Sequence, residues 1–313
     1  MAGEHVGVRL FGAPQAVTDR IAAAWPRAVL HRDDTAAGCR AAIVWQAAED
    51  AVLAFLAAHP ECVWLHTTAA GVPAGLLRWA ERRSLVVTNG SGTHGRAVAE
   101  HVLALLLAHY KRLPELLDDQ RARRWRPRVA AELYGRRAGV IGLGDLGRTT
   151  ATLLSAFGVR VTGYRRTGEA VPEVDAVFGP GRLAEFLSGL DILVLAAPLT
   201  PSTRSLIGAR QLALLNPGAV LVNVGRGPVV DEAALLAALR SGQLSGAALD
   251  VFDTEPLPRS SQLWTQPGVL VSPHSADVTA PTDTRSLDLI VDNVGRFRSG
   301  AALRNVVDPA RGY

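Results

Sequence analysis

Near the middle of the 313-residue chain, Val140-Ile141-Gly142-Leu143-Gly144-Asp145-Leu146-Gly147 constrains the fold more than any other stretch. An apolar run over 138–141 enters Gly-x-Gly-x-x-Gly, a helix-patterned segment covers 148–157, and a second apolar run follows at 159–164. Strand, glycine turn, helix and strand in that order convert a weak glycine pattern into a dinucleotide-binding signal. The turn needs Gly142, a pyrophosphate can approach the backbone at Gly144, and helix and strand can pack closely at Gly147. The phosphates then lie against unpaired amides at the helix N-terminus. Outside this context the same glycines would be no more than a loop without a ligand.

The remaining chain keeps the same rhythm. Apolar runs that read as strands fall at 6–11, 41–45, 62–66 and 85–88, with helix-like stretches at 50–58 and 73–83 between them. Beyond the glycines, strands are expected at 191–196, 219–223, 247–251 and 269–272. A helix at 231–241 has an acidic start and stops at Gly242, and a final helix covers 281–298. The long helix at 93–110, apolar along Val98, Val102, Leu105 and Leu106, suits a connection between two domains. Strands alternating with helices predict an α/β fold with parallel sheets covered on both faces. A chain of 313 residues exceeds one typical core, so two domains are expected.

Composition narrows the partners. The formal charge is +4, and Lys111 is the only lysine among 33 basic residues. With no lysine-rich tail or aromatic-interleaved basic stripe, nucleic acid is not expected as a partner. Cys39 and Cys62 are too few and too unpatterned for a disulfide framework or a metal site. Residues 1–10 lack an apolar signal core, and the longest apolar helical stretch, 102–108, is far short of the roughly 20 residues that span a bilayer. The expectation is a cytoplasmic protein that does not enter a membrane.

Three charged or titratable residues fall just beyond expected strand ends: Arg226, Glu255 and His274. Open α/β sheets place ligands there. Hydride transfer to a keto acid needs a cation to hold the carboxylate and polarise the carbonyl, and an acid to protonate the new alkoxide. It also needs a group that keeps the acid charged and oriented. Arginine offers a planar fork matched to a carboxylate, and histidine titrates in the right range with a carboxylate beside it. Singly, Arg226 could cap a turn, Glu255 could be a surface acid and His274 could satisfy a buried carbonyl. Together, behind one glycine fingerprint, they assign anchoring to Arg226, tuning to Glu255 and acid/base work to His274. The loop 67–72 follows a strand end, where it either turns backbone amides toward a carboxylate or forms an ordinary tight turn. The basic segment 121–128, with Trp125 inside it, is either a solvated face or a subunit or substrate contact.

Asn223-Val224-Gly225-Arg226-Gly227, Leu249-Asp250-Val251-Phe252-Asp253-Thr254-Glu255-Pro256-Leu257 and Ser272-Pro273-His274 resemble signatures of the D-isomer-specific 2-hydroxyacid dehydrogenases. So do the glycine loop, Ala197-Pro198-Leu199-Thr200-Pro201-Ser202-Thr203-Arg204, Ala99-Glu100-His101 and Asn305-Val306-Val307. The resemblance covers essentially the whole chain. It implies two doubly wound parallel-sheet domains, with a Rossmann coenzyme domain (97–282) inserted in a discontinuous flavodoxin-like substrate domain (1–96 and 283–313). An active site in the cleft and a homodimer built through the coenzyme domains are also implied. The implied coenzyme contacts are Gly142, Leu143, Gly144, Asp145, Leu146, Gly147, Ala197, Pro198, Thr203, Val224, Gly225, Arg226, Asp250, His274 and Ala276. Ala70 and Gly71, with Arg226 and His274, match the substrate contacts. Glyoxylate or hydroxypyruvate is the substrate suggested by analogy. Some relatives with this fold act instead as coenzyme-sensing corepressors that bind peptides.

Two departures matter. Family members often write the substrate loop as Ala-Gly-Val-Asp, whereas this chain has Ala70-Gly71-Val72-Pro73, which alters the start of the next helix. The position after the second coenzyme strand, acidic in NAD-preferring members, is Arg165, followed by Arg166. Two guanidinium groups there would meet a 2′-phosphate, so NADP(H) is expected to be preferred, with NAD(H) possible. The alternative is that both side chains point into solvent.

Overall fold

The computed structural model describes residues 6–33 and 38–309 and divides them into two compact units. One takes the described residues up to His94 and from Thr279 onward; the other is Gly95–Val278. Residues 1–5 and 310–313, assigned above to the substrate domain, lie outside the described residues.

The first unit contains β1 (Val6–Phe11), α1 (Gln15–Ala24), β2 (Ala28–His31), β3 (Cys39–Val44), α2 (Glu49–Ala58), β4 (Trp64–Thr67), α3 (Ala74–Arg83) and β5 (Val86–Thr88). The strands form one parallel sheet in the order β2-β1-β3-β4-β5, the flavodoxin-like doubly wound order. Helix Ala280–Ser299 returns to this unit and packs Leu287, Ile290 and Val294 with Val8, Ile21, Ile43 and Trp64 on one face. Phe55, Leu65, Leu76 and Val87 fill the other face. Two elements here were not expected from the sequence, α1 and β2. Strand β2 is a four-residue edge strand only half-buried, and α1 buries just Val17 and Ile21, so neither writes a strong apolar period.

The Pro73 departure has a local answer. As the residue before α3, Pro73 offers no side-chain cap. Glu49, in the first turn of α2, supplies the acceptor instead, its Oε1 taking the Leu76 N–H at 3.2 Å. A carboxylate at a helix N-terminus satisfies an orphan amide and complements the helix dipole, whichever part of the chain provides it.

The second unit begins with α4 (Gly95–Tyr110) and α5 (Leu113–Arg121), then β6 (Arg137–Ile141), α6 (Asp145–Ala156), β7 (Arg160–Tyr164) and β8 (Ala176–Phe178). After them come α7 (Leu183–Leu187), β9 (Ile192–Leu195), α8 (Ala209–Leu212), β10 (Ala219–Asn223), α9 (Glu232–Ser241), β11 (Leu244–Leu249) and β12 (Val269–Val271). Seven parallel strands lie in the order β12-β11-β10-β9-β6-β7-β8. Ile192 and Val194 of β9 face one apolar cluster while Leu193 and Leu195 face the other, as expected of a sheet buried on both sides. Strand order reverses between β6 and β9, which opens a crevice at their carboxyl ends. Helix α6 starts at Asp145, earlier than the expected 148, because Gly147 sits inside its first turn instead of before it. Strand β11 starts at Leu244 rather than 247, and a register irregularity at Ala219/Val220 on β10 accommodates its extra residue.

Candidate active site

The glycine loop leaves β6 at the reversal point. Gly142 has φ 94°, and a Cβ there would lie 2.7 Å from the Ala197 amide nitrogen at the end of β9. A Cβ on Gly147 would lie 1.8 Å from the Gly142 carbonyl oxygen, so any side chain would push α6 off its strand. Beside Gly144, by contrast, the space a Cβ would take is open. Gly144 is the N-cap of α6 and offers no side-chain acceptor. The amides of Leu146 and Gly147 have no hydrogen-bond acceptor among the described residues. Open space against unpaired helix-terminal amides fits the pyrophosphate of a dinucleotide.

Around this loop the structure places the other expected coenzyme positions at strand ends. Leu143 and Ala197 are buried, Pro198 is exposed, and Leu146 is half-buried. The Thr203 hydroxyl donates to the Pro198 carbonyl at 2.7 Å and accepts the Thr200 N–H at 2.7 Å, which staples the loop after β9. Asp145 turns its carboxylate to the start of α4, where Oδ2 accepts the Gly95 N–H at 3.1 Å. Arg165 extends the β7 pairing, donating its N–H to the Phe178 carbonyl at 3.0 Å. Its guanidinium Nη2 stands 3.8 Å from Glu169 Oε2, and Arg166 follows directly.

Arg226 follows β10 in the extended conformation. Asn223 fixes this turn from its buried position. Its Nδ2 donates to the Arg226 carbonyl at 3.1 Å, and its Oδ1 accepts the Gly225 N–H at 3.1 Å. The half-buried Arg226 side chain donates from Nη1 to the Gly225 carbonyl at 2.7 Å and has no carboxylate partner among the described residues. The turn also packs backbone to backbone on the loop that carries Glu255, since a Cβ on Gly227 would lie 1.9 Å from the Phe252 carbonyl carbon.

Glu255 and His274 come together. His274 Nδ1 is 2.7 Å from Glu255 Oε2, and Glu255 Oε1 accepts the Phe252 N–H at 2.9 Å. Both side chains are partly open to solvent. An ionised carboxylate only accepts, so His274 Nδ1 carries a proton toward it and Nε2 is left to face a ligand. His274 has φ 50°, a left-handed backbone that costs a side-chain-bearing residue about 1–2 kcal/mol. Buried Asp250 surrounds that reversal. Its main-chain oxygen accepts the His274 N–H at 2.9 Å, Oδ1 the Ser275 N–H at 3.0 Å, and Oδ2 the Ala276 N–H at 3.1 Å. Ser272 Oγ donates a 2.6 Å bond to Oδ1, and His101 Nε2 lies 2.9 Å from Ser272 Oγ. Sequence reading gave no role to Asn223, Ser272 or His101. A buried Asn at a strand end and a His in an apolar helix were the available signals.

In the other unit, three successive carbonyls of the 67–72 loop are occupied. The Thr68 oxygen is 2.7 Å from His94 Nε2, the Ala69 oxygen accepts the Gly90 N–H at 3.0 Å, and the Ala70 oxygen accepts Asn89 Nδ2 at 2.7 Å. The amides of Ala70 and Gly71 have no acceptor among the described residues. Asn305 of the tail steadies Asn89, its Nδ2 donating to the Asn89 carbonyl at 3.2 Å. The loop's carbonyls are thus tied back, while these two amides have no protein partner among the described residues.

Comparison with known proteins gives the family. The model of the D-isomer specific 2-hydroxyacid dehydrogenase NAD binding domain matches residues 103–276. A glyoxylate reductase of Thermococcus gammatolerans is 37% identical over 232 residues, 71% of this chain and 69% of the relative. A D-isomer specific 2-hydroxyacid dehydrogenase of Xanthobacter autotrophicus Py2, solved in complex with NADPH and MES, superposes with TM-score 0.85 at 36% identity, covering 99% of this chain and 100% of that one. An NADPH-dependent glyoxylate/hydroxypyruvate reductase of Sinorhizobium meliloti, solved with NADP and sulfate, has TM-score 0.85 at 28% identity, covering 98% and 100%. With a family model over more than half of its length and full-length structural neighbours, the chain belongs to the D-isomer specific 2-hydroxyacid dehydrogenase family.

Proposed function

We propose that the protein reduces small 2-keto acids of the glyoxylate and hydroxypyruvate class to D-2-hydroxy acids, with NADPH preferred over NADH. The observation that carries this reading is the 2.7 Å Glu255–His274 pair, together with an arginine that has no carboxylate partner among the described residues and whose turn packs on the Glu255 loop, at the strand ends of a dinucleotide fold. The glycine loop, Thr203, Val224, Ala276 and the Arg165-Arg166 pair would hold the coenzyme, whose chemistry there would be to supply the hydride. Arg226 binds the substrate carboxylate through its planar fork and draws electron density toward the carbonyl oxygen. His274 holds the transferable proton at Nε2 and gives it to that oxygen as the alkoxide forms. Glu255 accepts the Nδ1–H and fixes the ring, and the Phe252 amide fixes Glu255 in turn. The available amides of Ala70 and Gly71 suit a carboxylate.

The same reading includes a homodimer. Its support is the apolar surface of α5 and the segment after it, where Leu113, Leu116, Leu117, Trp125 and Val129 are exposed. The arm is shaped around buried Asp119, whose Oδ2 accepts Arg128 Nε at 2.6 Å while Arg124 lies 3.3 Å from Oδ1. A cytoplasmic location belongs to it as well, supported by Cys39 and Cys62, which are buried free thiols. No helix among the described residues is long and apolar enough to cross a membrane.

The test is NADPH oxidation by the purified chain across a panel of 2-keto acids. Turnover of glyoxylate or hydroxypyruvate supports the reading. Negligible turnover across the panel, with capture of a peptide ligand that depends on coenzyme, would make the protein a sensor of the corepressor kind.

A further inference from the structure

We propose that His101 and Ser272 are positioning residues for His274, acting through Asp250. The inference rests on the reading of His274 as the proton donor. Its starting point is the left-handed backbone at His274, which a side-chain-bearing residue adopts only where its surroundings hold it. Those surroundings are largely one residue: Asp250 accepts the amides of His274, Ser275 and Ala276 through its main-chain and both carboxylate oxygens. The position of the imidazole therefore depends on the orientation of the Asp250 carboxylate.

Proton counting fixes the direction of the remaining bonds. Ser272 has one hydroxyl proton, and the 2.6 Å contact with the acceptor-only carboxylate Oδ1 uses it. Ser272 Oγ must then accept from His101 Nε2 at 2.9 Å, so Nε2 of His101 carries a proton. A one-way relay runs from His101 on α4 to Ser272 and on to Asp250, joining residues 171 positions apart. Ser272 and Asp250 are buried, where a broken relay leaves polar groups without replacement partners. Glu255 fixes the His274 ring from one side; the relay fixes the backbone beneath it.

Removing the Ser272 hydroxyl takes one side-chain donor from Asp250 and leaves the His101 N–H without its acceptor. The carboxylate can then rotate, and the amides of Ser275 and Ala276 lose their alignment. A misplacement of about 1 Å at a reacting group can cost about a hundredfold in rate.

The experiment has a spectroscopic and a kinetic arm. In protein labelled with 15N-histidine, the His274 and His101 imidazole signals are assigned by their loss in His274→Gln and His101→Gln. Wild type is expected to show His101 protonated at Nε2. Ser272→Ala is expected to move the His274 signals, and Ser272→Thr, which keeps the hydroxyl, to restore them. In the kinetic arm, Ser272→Ala and His101→Leu should each lower kcat by roughly ten- to hundredfold, with KM for the keto acid nearly unchanged and Kd for NADPH, which Ala276 helps to set, rising far less than kcat falls. His101→Gln, which keeps an N–H donor, should recover most of the rate, and the double variant should fall no further than the worse single one. His274 signals that stay put in Ser272→Ala overturn the proposal. So does wild-type kcat in folded Ser272→Ala and His101→Leu, or a loss of NADPH affinity in step with kcat, which would make the network part of the coenzyme seat. If wild type turned over no 2-keto acid, the functional reading would fail while the spectroscopic arm still decided the positioning.

Discussion

Arg165→Asp is expected to reverse the coenzyme preference. The strand pairing of the Arg165 amide with Phe178 fixes where its side chain departs, at the end of the second coenzyme strand, which in this fold meets the adenosine ribose. The guanidinium is 28% exposed and its partner Glu169 is 72% exposed, with 3.8 Å between them. An exposed pair at that distance contributes about 0–1 kcal/mol. A charge-assisted bond to a 2′-phosphate contributes about 1.5–3 kcal/mol, so the phosphate displaces Glu169. The balance of about 1–2 kcal/mol is roughly a tenfold preference from one guanidinium, and a contribution from Arg166 raises it toward a hundredfold. Arg165→Asp removes the attraction, adds repulsion and gives the ribose hydroxyls an acceptor. The assay compares kcat/KM for NADPH and NADH in wild type, Arg165→Asp, the variant lacking both arginines, and Glu169→Gln. The last should bind NADPH up to about fivefold tighter, since a competing charge is gone. A wild-type preference for NADH would refute the reasoning, as would an NADPH preference that survives loss of both arginines.

Two further predictions concern stability. His66 is buried on β4 with Nδ1 2.8 Å from Thr88 Oγ1 and no partner for Nε2 among the described residues, and burial pushes its pKa down to about 4. Because that lies below the unfolded value of about 6.5, this contribution to stability is intact above pH 6.5 and is lost as pH falls toward 4, where only the unfolded chain takes up the proton; the loss is about 2 kcal/mol by pH 5. Urea unfolding at both pH values should show that slope in wild type and not in His66→Asn; equal slopes would remove His66 as the cause. Glu49→Ala should cost about 1 kcal/mol through the uncapped α3, read as a lowered Tm, and Pro73→Asp in that background should recover part of it. An unchanged Tm in Glu49→Ala would mean the cap contributes nothing.

The parts of the fold that were legible in the sequence are those dictated by local pattern. Strands β1 and β10 bury every residue and are apolar except at Arg9 and Asn223, so their bounds are readable to the residue. Parallel βαβ rhythm then puts Arg226, Glu255 and His274 at the same end of one sheet, and the structure brings Glu255 to His274. What was hidden depends on contacts distant in sequence. The relay from His101 to Asp250 exists only once α4 lies against the sheet, and the left-handed turn at His274 follows from Asp250 rather than from any property of Ser272-Pro273-His274. The substitute cap is hidden for the same reason, because Glu49 stands 27 residues from the amide it satisfies. Edge strands such as β2 fail on burial, since a half-exposed strand keeps no apolar signature.

The central claim is that His274 delivers the proton to a 2-keto acid, and His274→Gln tests it most directly. The measurement is kcat for glyoxylate and hydroxypyruvate with NADPH, alongside NADPH affinity in the same preparation. The account predicts a loss of about 10²–10⁴-fold in kcat, the usual contribution of general acid catalysis, with NADPH affinity retained. A folded His274→Gln protein that turned over either substrate at the wild-type rate would contradict it.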